Sequence, residues 1–376
     1  MVKIKKIALV SVHSDPNYGS LLQAYALSTA LFRMGYDNEY INYAPYKERP
    51  CIVQFVINLV KRYLSLFNAK YSTTEYSYWR TKEFRNQRLL FRDFHDKYIK
   101  SSRQRYNKNT ITEALVKYRK FVIGSDQTWS QLTTQTPFNI FFLDFVDEPG
   151  KKVSYAPSIG TVTISKSYMC FLVNKLKTFS FVSCRERQNA EILTKYIGKQ
   201  VMYVLDPTFL LSKDNWLRLS EHIETPDEFV LCYILGTKEC ISEFAEKLGK
   251  EKSLPVYYIV TRPKYAKNKN ALKNVSVGQF LYLLNKAKYV VTDSFHGSIL
   301  SINMGTNFYS FAKRIPSEGF TDNDRIMDFL KVVHLEHRFK ADNDFSYSDD
   351  IDFGEIYKEL IPLKEQSLNY LKKAVE

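Results

Sequence analysis

The sequence predicts an α/β fold made of two domains, each built on a parallel sheet. Short apolar or β-branched runs alternate with amphipathic helical stretches along most of the chain, which is typical of repeated βαβ units. A chain of 376 residues is too long for one ordinary hydrophobic core, and a hydrophobic content of 45% is enough to form two. Because several strand-like runs end in polar corners, we expect two Rossmann-like halves that face one cleft.

The first domain is predicted to begin with a βαβ unit. Residues 7–12 predict a buried strand, residues 13–19 a loop, and residues 20–34 a helix that Gly35 ends. Residues 39–43 predict the next strand. The loop lacks a Gly-x-Gly-x-x-Gly pattern, so the sequence does not support a nicotinamide or flavin cofactor.

Further strands are predicted to begin at Phe121, Val153, Phe181 and Val201, and each runs into a corner of small or charged residues. Residues 52–67 predict an amphipathic helix. An ordinary surface helix explains that pattern, and a helix lying on an anionic membrane is the alternative.

A second α/β series begins after Pro226. Its strands are predicted at residues 229–235, 255–260, 289–292 and 307–311, and its helices near residues 239–249, 277–287, 296–304 and 324–333. The basic stretch at residues 261–269 predicts a solvated loop. We assign residues 1–212 to an N-terminal domain, 226–350 to a C-terminal domain, and 351–376 to a last helix that is available to pack back on the first domain.

The formal charge of +14 predicts an anionic partner: nucleic acid, an acidic membrane surface, or a phosphorylated or carboxylated substrate. No helix-turn-helix, zinc-finger or RNP-type aromatic motif is present, so nucleic acid is not expected as a partner. The five cysteines are far apart and include no Cys-x-x-Cys pair, which argues against disulfides or a zinc site and fits a reducing cytoplasm. No signal peptide and no apolar run of ~18 residues is seen, so we expect a cytoplasmic protein.

The corner at residues 293–297 follows a β-branched strand and precedes an apolar helical pattern. A histidine at such a corner, here His296, can donate a proton near neutral pH. Gly297 is expected to let the backbone approach a ligand, and the unpaired N–H groups of the next turn favour an anion. The alternative is a buried histidine bonded to a backbone carbonyl. His334 and His337 are spaced as some metal ligands are, but no third ligand can be placed, so no metal is predicted.

Five segments, in this order along the chain, resemble the polysaccharide pyruvyl transferase family. They are NYGSLLQAYAL at 17–27, GSDQTW at 124–129, SCRE at 183–186, DPT at 206–208 and DSFHG at 293–297. The resemblance implies a GT-B-like fold and transfer of pyruvate from phosphoenolpyruvate to two hydroxyls of a sugar, giving a ketal, during cell-surface polysaccharide biosynthesis. Phosphoenolpyruvate is then a co-substrate, and no metal or redox cofactor is required.

The resemblance also implies a glycan acceptor, typically a lipid-linked saccharide of the cell envelope. Peripheral contact with the inner face of the cell membrane follows as an expectation. The polar, aromatic and basic residues 71–102 are expected to form an insertion with a helix that faces this acceptor.

The resemblance implies that His296 is the general acid and that Arg185 is a ligand of the anionic donor. Asp126 is expected to act as a base or to accept a hydrogen bond from the acceptor sugar. The alternatives are an exposed ion pair between Arg185 and Glu186, and a helix-capping role for Asp126.

Asn17 and Tyr18 are expected on the acceptor side, and Ser294 among the substrate-binding residues. The family has a further basic residue downstream of the histidine. The candidates for it are Lys313, Arg314 and Arg325, and a solvated charge cluster is the alternative for the first two.

Two other functions remain open at this point. A glycosyltransferase with a nucleotide-sugar donor fits the same two-domain cleft, although the second domain shows no acidic nucleotide-binding motif. A non-catalytic binding subunit of a polysaccharide assembly system is the other alternative.

Overall fold

The computed structural model describes residues 6–14, 16–43, 82–131, 139–161, 163–313 and 324–376. The predicted helix at residues 52–67 and Arg314 lie outside these ranges.

The first parallel sheet has the strand order β2-β1-β3-β4. Its strands are β1 (Ile7–Val10), β2 (Asn38–Tyr40), β3 (Lys120–Ile123) and β4 (Lys152–Ser154). A parallel pair, β5 (Val182–Cys184) and β6 (Val201–Tyr203), continues from β4 through a bridge between Val153 and Phe181. Alternate residues of β1 belong to two different core clusters, so this sheet is buried on both faces, as parallel sheets are.

Four longer helices accompany this sheet: α1 (Tyr18–Arg33), α2 (Lys82–Tyr98), α3 (Lys166–Leu176) and α4 (Arg187–Ile197). The first begins two residues before the predicted start because the Asn17 side chain accepts a hydrogen bond from the Ser20 N–H at 3.2 Å. The Asn17 cap therefore sets the first residue of the helix, and the apolar periodicity does not.

The second parallel sheet has six strands in the order β12-β11-β10-β7-β8-β9. They are β7 (Val230–Tyr233), β8 (Val256–Ile259), β9 (Ala271–Leu272), β10 (Tyr289–Thr292), β11 (Asn307–Phe311) and β12 (Phe339–Lys340). The helices that follow are α5 (Lys213–Leu217), α6 (Glu239–Lys252), α7 (Val277–Lys286), α8 (Phe295–Met304) and α9 (Asp324–Val332). Strands β9 and β12 were not predicted, since two residues are too few to show a pattern.

The direction in which strands are added reverses once in each sheet. In the first sheet the reversal lies between β1 and β3, and in the second it lies between β7 and β10. The loops that leave such a strand pair diverge and open a crevice at the carboxyl edge of the sheet, where ligands of open α/β folds bind. The two crevices are the natural places to look for a site.

The last helix, α10 (Phe353–Val375), packs against the first sheet. The Tyr370 hydroxyl donates to the Ser154 carbonyl at 2.9 Å, and the Leu205 N–H donates to the Ser367 hydroxyl at 2.9 Å. Within the described ranges, no helix has both the length and the apolar character needed to cross a membrane.

The basic stretch predicted as a solvated loop is ordered in its middle part. Residues Pro263–Lys267 form a 3-10 helix, and Tyr265 is buried. The prediction is wrong there because a single aromatic residue anchors an otherwise polar stretch, and periodicity cannot show such an anchor.

His13, just beyond β1, makes stability depend on pH. Its Nδ1 donates to the Ser11 carbonyl at 2.8 Å, and its ring stacks on Tyr40 and His95. Burial lowers the pKa of His13 to about 4, with a smaller effect from His95. The unfolded chain therefore binds a proton first as the pH falls below about 6.5, and the folded chain follows only near 4.

We expect the free energy of unfolding to fall between pH 6.5 and pH 4, by at most about 3 kcal/mol from this group. Urea unfolding at pH 7 and pH 5 measures the loss, and the loss should be smaller in His13→Gln. An equal loss in the variant would assign the pH dependence to other groups.

Candidate active site

A polar cleft of about 230 Å³ lies where the two sheet edges meet. The first domain contributes Val12, Asn17, Ser20, Asp126 and Gln127 to its lining, and the second contributes Leu235, residues 293–296, Lys313 and Arg325. Both reversal points thus open into one cleft.

The two helices that follow the reversal-point strands meet here by their first turns. An added Cβ on Gly19, in the first turn of α1, would lie 2.2 Å from His296 Nδ1, in the first turn of α8. The first turns of the two helices therefore pack closely against each other across the domain boundary.

Asp206 lies beneath the cleft and holds its cationic groups. Its Oδ2 accepts from Arg185 Nη1 at 2.7 Å and from the Ser125 hydroxyl at 3.1 Å, and lies 3.6 Å from His296 Nε2. The last distance is that of an ion pair and too long for a hydrogen bond. Its Oδ1 accepts from the N–H and hydroxyl of Thr208. Sequence reasoning used Asp206 only as part of a motif and missed this central position.

The charges of the site keep its carboxylates ionised. Burial alone would raise the pKa of Asp206, but His296 and Arg185 hold this pKa well below its usual range. The pKa of Asp126 is lowered in the same way, since His296 and Arg185 outweigh the effect of burial. Both groups are therefore carboxylates at neutral pH.

Arg185 is buried behind the cleft and does not line it. Its guanidinium carbon lies 4.0 Å from the centre of the Phe295 ring, which does line the cleft. Within the described ranges its Nε and Nη2 have no hydrogen-bond partner. The exposed ion pair with Glu186, considered from the sequence, is absent: Arg185 is 4% exposed, and Glu186 accepts from the Ser158 hydroxyl instead. Arg185 therefore acts through its ion pair with Asp206 and its contact with the Phe295 ring.

His296 lines the cleft and is buried, with 7% of its surface exposed. Its Nε2 has no hydrogen-bond partner in the described part of the chain, so no backbone carbonyl engages this atom. The Ser294 hydroxyl caps α8 by accepting from the Gly297 N–H at 3.2 Å. Gly297 itself serves packing and not a ligand, because an added Cβ would lie 2.5 Å from Thr292 Oγ1.

Gly19 leaves no room for a side chain next to this imidazole. We expect Gly19→Ala to displace the His296 ring and to lower activity by about 10-fold or more, since a misplaced reacting group loses its alignment. Gly150→Ala is the matched control, because an added Cβ there meets nothing within 4 Å. Kinetics of the two variants measure the effect, and equal activity of both would contradict this packing constraint.

Asp126 adopts a left-handed backbone conformation with φ of +73°, which aspartate tolerates better than most residues. Its Oδ2 accepts from the Ser20 hydroxyl at 2.7 Å and its Oδ1 from the Gln127 N–H at 2.9 Å. No described helix begins at this corner, so helix capping does not explain the residue. Such strained positions often occur at functional sites.

The two residues predicted on the acceptor side occupy different positions. Asn17 caps α1 and lines the cleft. Tyr18 is buried between the domains, where its hydroxyl donates to the Val275 carbonyl at 2.8 Å and its ring stacks on Phe280. These contacts hold the first domain against the second.

Of the downstream cations, Lys313 and Arg325 line the cleft. Arg314 lies outside the described residues. The neighbouring Asp293, which was not predicted as a site residue, accepts from the Leu235 and Gly236 N–H groups at 2.7 and 2.6 Å and so fixes the loop after β7. Among the residues that the structure describes, no group of three His, Cys, Asp or Glu side chains is placed to hold a metal ion.

The model of the polysaccharide pyruvyl transferase family matches residues 17–313, a span that contains all five segments noted above. The chain belongs to this family. A comparison with curated proteins found no match.

The fold of this pyruvyl transferase family member is similar to that of several solved structures. The chain is similar to UDP-GlcNAc 2-epimerase from Methanocaldococcus jannaschii, with 12% identity over 94% of this chain and 91% of that chain and a TM-score of 0.51. UDP-GlcNAc 2-epimerase from Neisseria meningitidis gives 8% identity, coverage of 96% and 99%, and a TM-score of 0.45. The likeness to the Methanocaldococcus jannaschii enzyme confirms the predicted GT-B-like fold and carries no more than the fold.

Proposed function

We propose that this protein transfers pyruvate from phosphoenolpyruvate onto two hydroxyls of a glycan, which forms a ketal and releases phosphate, during cell-surface polysaccharide biosynthesis. The observation that carries the proposal is the cleft in which His296 and Asp126, from opposite domains, share the buried Arg185–Asp206 pair.

Phosphoenolpyruvate carries a phosphate and a carboxylate, so its site needs fixed cations. Lys313 and Arg325 are in the cleft wall, and the buried Arg185 adds positive charge behind it. This set of groups suits a small donor that carries two anionic groups.

The reaction begins with a proton. His296 donates it to the methylene carbon of phosphoenolpyruvate, and positive charge develops at the enol carbon, where the first sugar hydroxyl attacks and loses its proton. The C–O bond to phosphate then breaks, the second hydroxyl attacks the same carbon, and its proton is released. Atoms and charge balance without a redox step, so the proposed reaction needs no cofactor besides phosphoenolpyruvate.

Asp126 is suited to stabilise this charge. A carboxylate whose pKa lies below its usual range is a weak base, and proton transfer is most efficient when the pKa of the base is near the working pH. We therefore assign Asp126 to electrostatic stabilisation of the cationic carbon and to orientation of the acceptor hydroxyl.

The test uses the full chain with phosphoenolpyruvate and a panel of lipid-linked and aryl glycosides. We expect acceptor-dependent phosphate release and an acceptor mass that rises by one pyruvate less one water. Absence of both, together with thermal stabilisation by uridine or guanosine diphosphate and not by phosphoenolpyruvate, would favour the glycosyltransferase alternative.

We further propose a lipid-linked acceptor and peripheral contact with the inner face of the membrane. The outer face of α2 supports this contact: Arg85, Arg88 and Arg92 are exposed there beside Leu89, which is 54% exposed. Such a surface fits anionic headgroups. Sedimentation with anionic but not neutral vesicles, lost on replacing the three arginines by Gln, is the expected result; equal binding to both vesicles would contradict it.

A further inference from the structure

Helix α9 belongs to the second domain in sequence, but two of its acidic side chains contact the first domain. Asp324 Oδ2 accepts a hydrogen bond from the Thr161 hydroxyl at 3.0 Å. Asp328 accepts from two backbone N–H groups at the start of α4, that of Arg187 at 2.6 Å and that of Gln188 at 3.1 Å. The two acids are one helical turn apart, so this turn of α9 is fixed to the first domain.

Asp328 takes the place of a local cap for α4. Glu186 stands at the N-cap position, but its carboxylate accepts from the Ser158 hydroxyl and the Ile159 N–H. The N–H groups in the first turn of a helix need acceptors from outside the helix, and a carboxylate there also interacts favourably with the helix dipole. The second domain therefore caps a helix of the first domain.

The same turn of α9 carries Arg325, which lines the cleft. Arg325 and Asp328 are three residues apart, so both lie on one side of the helix. In the first domain, α4 begins two residues after Arg185. The guanidinium carbons of Arg185 and Arg325 lie 4.0 and 5.7 Å from the centre of the Phe295 ring, which also lines the cleft. Asp328 thus joins the two backbone segments that carry these arginines.

We propose that Asp328 is a positioning residue that holds Arg325 in the cleft wall, where Arg325 meets an anionic group of the donor. This inference rests on the proposed function. Fixing the backbone of α9 lowers the conformational entropy that Arg325 loses when it meets the anion. Loss of the interdomain cap should therefore weaken donor binding more than it slows the chemical steps.

The experiment measures calorimetric binding of phosphoenolpyruvate to the full chain, together with the kinetic constants of the transfer reaction. The test variant is Asp328→Ala, and Asp328→Asn, which keeps one acceptor oxygen, is used beside it in case the alanine variant does not fold. The matched control is Asp352→Ala, which removes a capping carboxylate from α10: Asp352 accepts from the Gly354 N–H at 2.9 Å. Arg325→Gln, alone and combined with Asp328→Ala, tests whether Asp328 acts through Arg325.

We expect Asp328→Ala to weaken phosphoenolpyruvate binding and to raise KM by about 10-fold, the size of one charged hydrogen bond, with a turnover number within about threefold of wild type. Asp328→Asn should show a smaller loss of the same kind. Asp352→Ala should bind phosphoenolpyruvate as wild type does, although it also loses a helix cap. The double variant should bind no more weakly than Arg325→Gln alone.

Amide hydrogen exchange tests the link between the domains without a ligand. In Asp328→Ala, exchange should become faster both in the first turn of α4 and in α9, because the cap joins the two helices. In Asp352→Ala, the faster exchange should be confined to α10.

Unchanged phosphoenolpyruvate binding in Asp328→Ala would overturn the proposal, and so would an additive loss in the double variant or an equal loss in Asp352→Ala. If wild type does not bind phosphoenolpyruvate, the proposed function fails, and hydrogen exchange then decides whether Asp328 fixes α9. Faster exchange confined to α4 would overturn that link as well.

Discussion

His296→Gln is expected to lower the turnover number by about 10²-fold to 10⁴-fold, the usual contribution of a positioned general acid. Glutamine keeps a polar side chain of similar reach but cannot donate a proton to carbon near neutral pH. Because Asp206 keeps Arg185 as its counter-charge when His296 is replaced, we expect the variant to fold, with a smaller loss of stability than Asp206→Ala.

The control for this variant is His337→Gln, which removes an exposed histidine of the same domain. Steady-state phosphate release, together with the dissociation constant of phosphoenolpyruvate, separates a loss of chemistry from a loss of binding. If His296→Gln keeps more than about a tenth of wild-type turnover, His296 is not the general acid.

Asp206→Ala is expected to lower the free energy of unfolding by about 3–5 kcal/mol, the usual cost of removing one partner from a buried ion pair. The change leaves the Arg185 guanidinium buried without its counter-charge and removes the acceptor for Thr208. It should also weaken donor binding, since Arg185 and His296 lose the group that positions them.

Asp227→Ala is the matched control, because Asp227 is fully exposed in its ion pair with Lys286. That change should alter stability by less than about 0.5 kcal/mol. Urea unfolding at pH 7 compares the two variants. A loss below about 1 kcal/mol in Asp206→Ala would show that the buried pair is not the structural centre of the site.

The difference in free energy of unfolding between wild type and Asp206→Ala depends on pH with a definite sign. The pKa of Asp206 is depressed in the folded protein, so its stabilising effect is complete above the unfolded value of about 3.9 and is lost as the pH falls through the folded value. The gap between wild type and Asp206→Ala should therefore be constant near neutrality and should shrink only in strong acid.

The sequence predicted the parts of the fold that depend on local pattern. The bounds of β10 and β11 agree with the structure residue for residue, because a short β-branched or aromatic run that follows a helix end has few alternatives. The two-residue strand β9 was missed, since it exists only by pairing with β8.

The sequence predicts a site residue where a single polar turn after a strand carries a single reactive side chain, as at His296. The site was not predictable where it depends on long-range pairing. Arg185 is 21 residues from Asp206 in sequence. The contact of Gly19 with His296 joins two domains. No local pattern in the sequence reports such partners.

Tyr18 is a second residue whose long-range contact the sequence does not show. Its place in a family motif suggested a position near the acceptor, and the structure adds a contact that the motif does not show: its hydroxyl bonds the Val275 carbonyl of the second domain. A motif residue can be required because it joins the two halves that create the cleft.

The central claim is that His296 protonates phosphoenolpyruvate in a cleft formed by both domains, and one measurement tests it directly. When the full chain turns over phosphoenolpyruvate and an acceptor in D₂O, mass spectrometry and NMR of the product should show a ketal whose methyl group carries one solvent-derived deuterium, and His296→Gln should form almost none. A ketal without deuterium, or equal ketal formation by the variant, would contradict the claim.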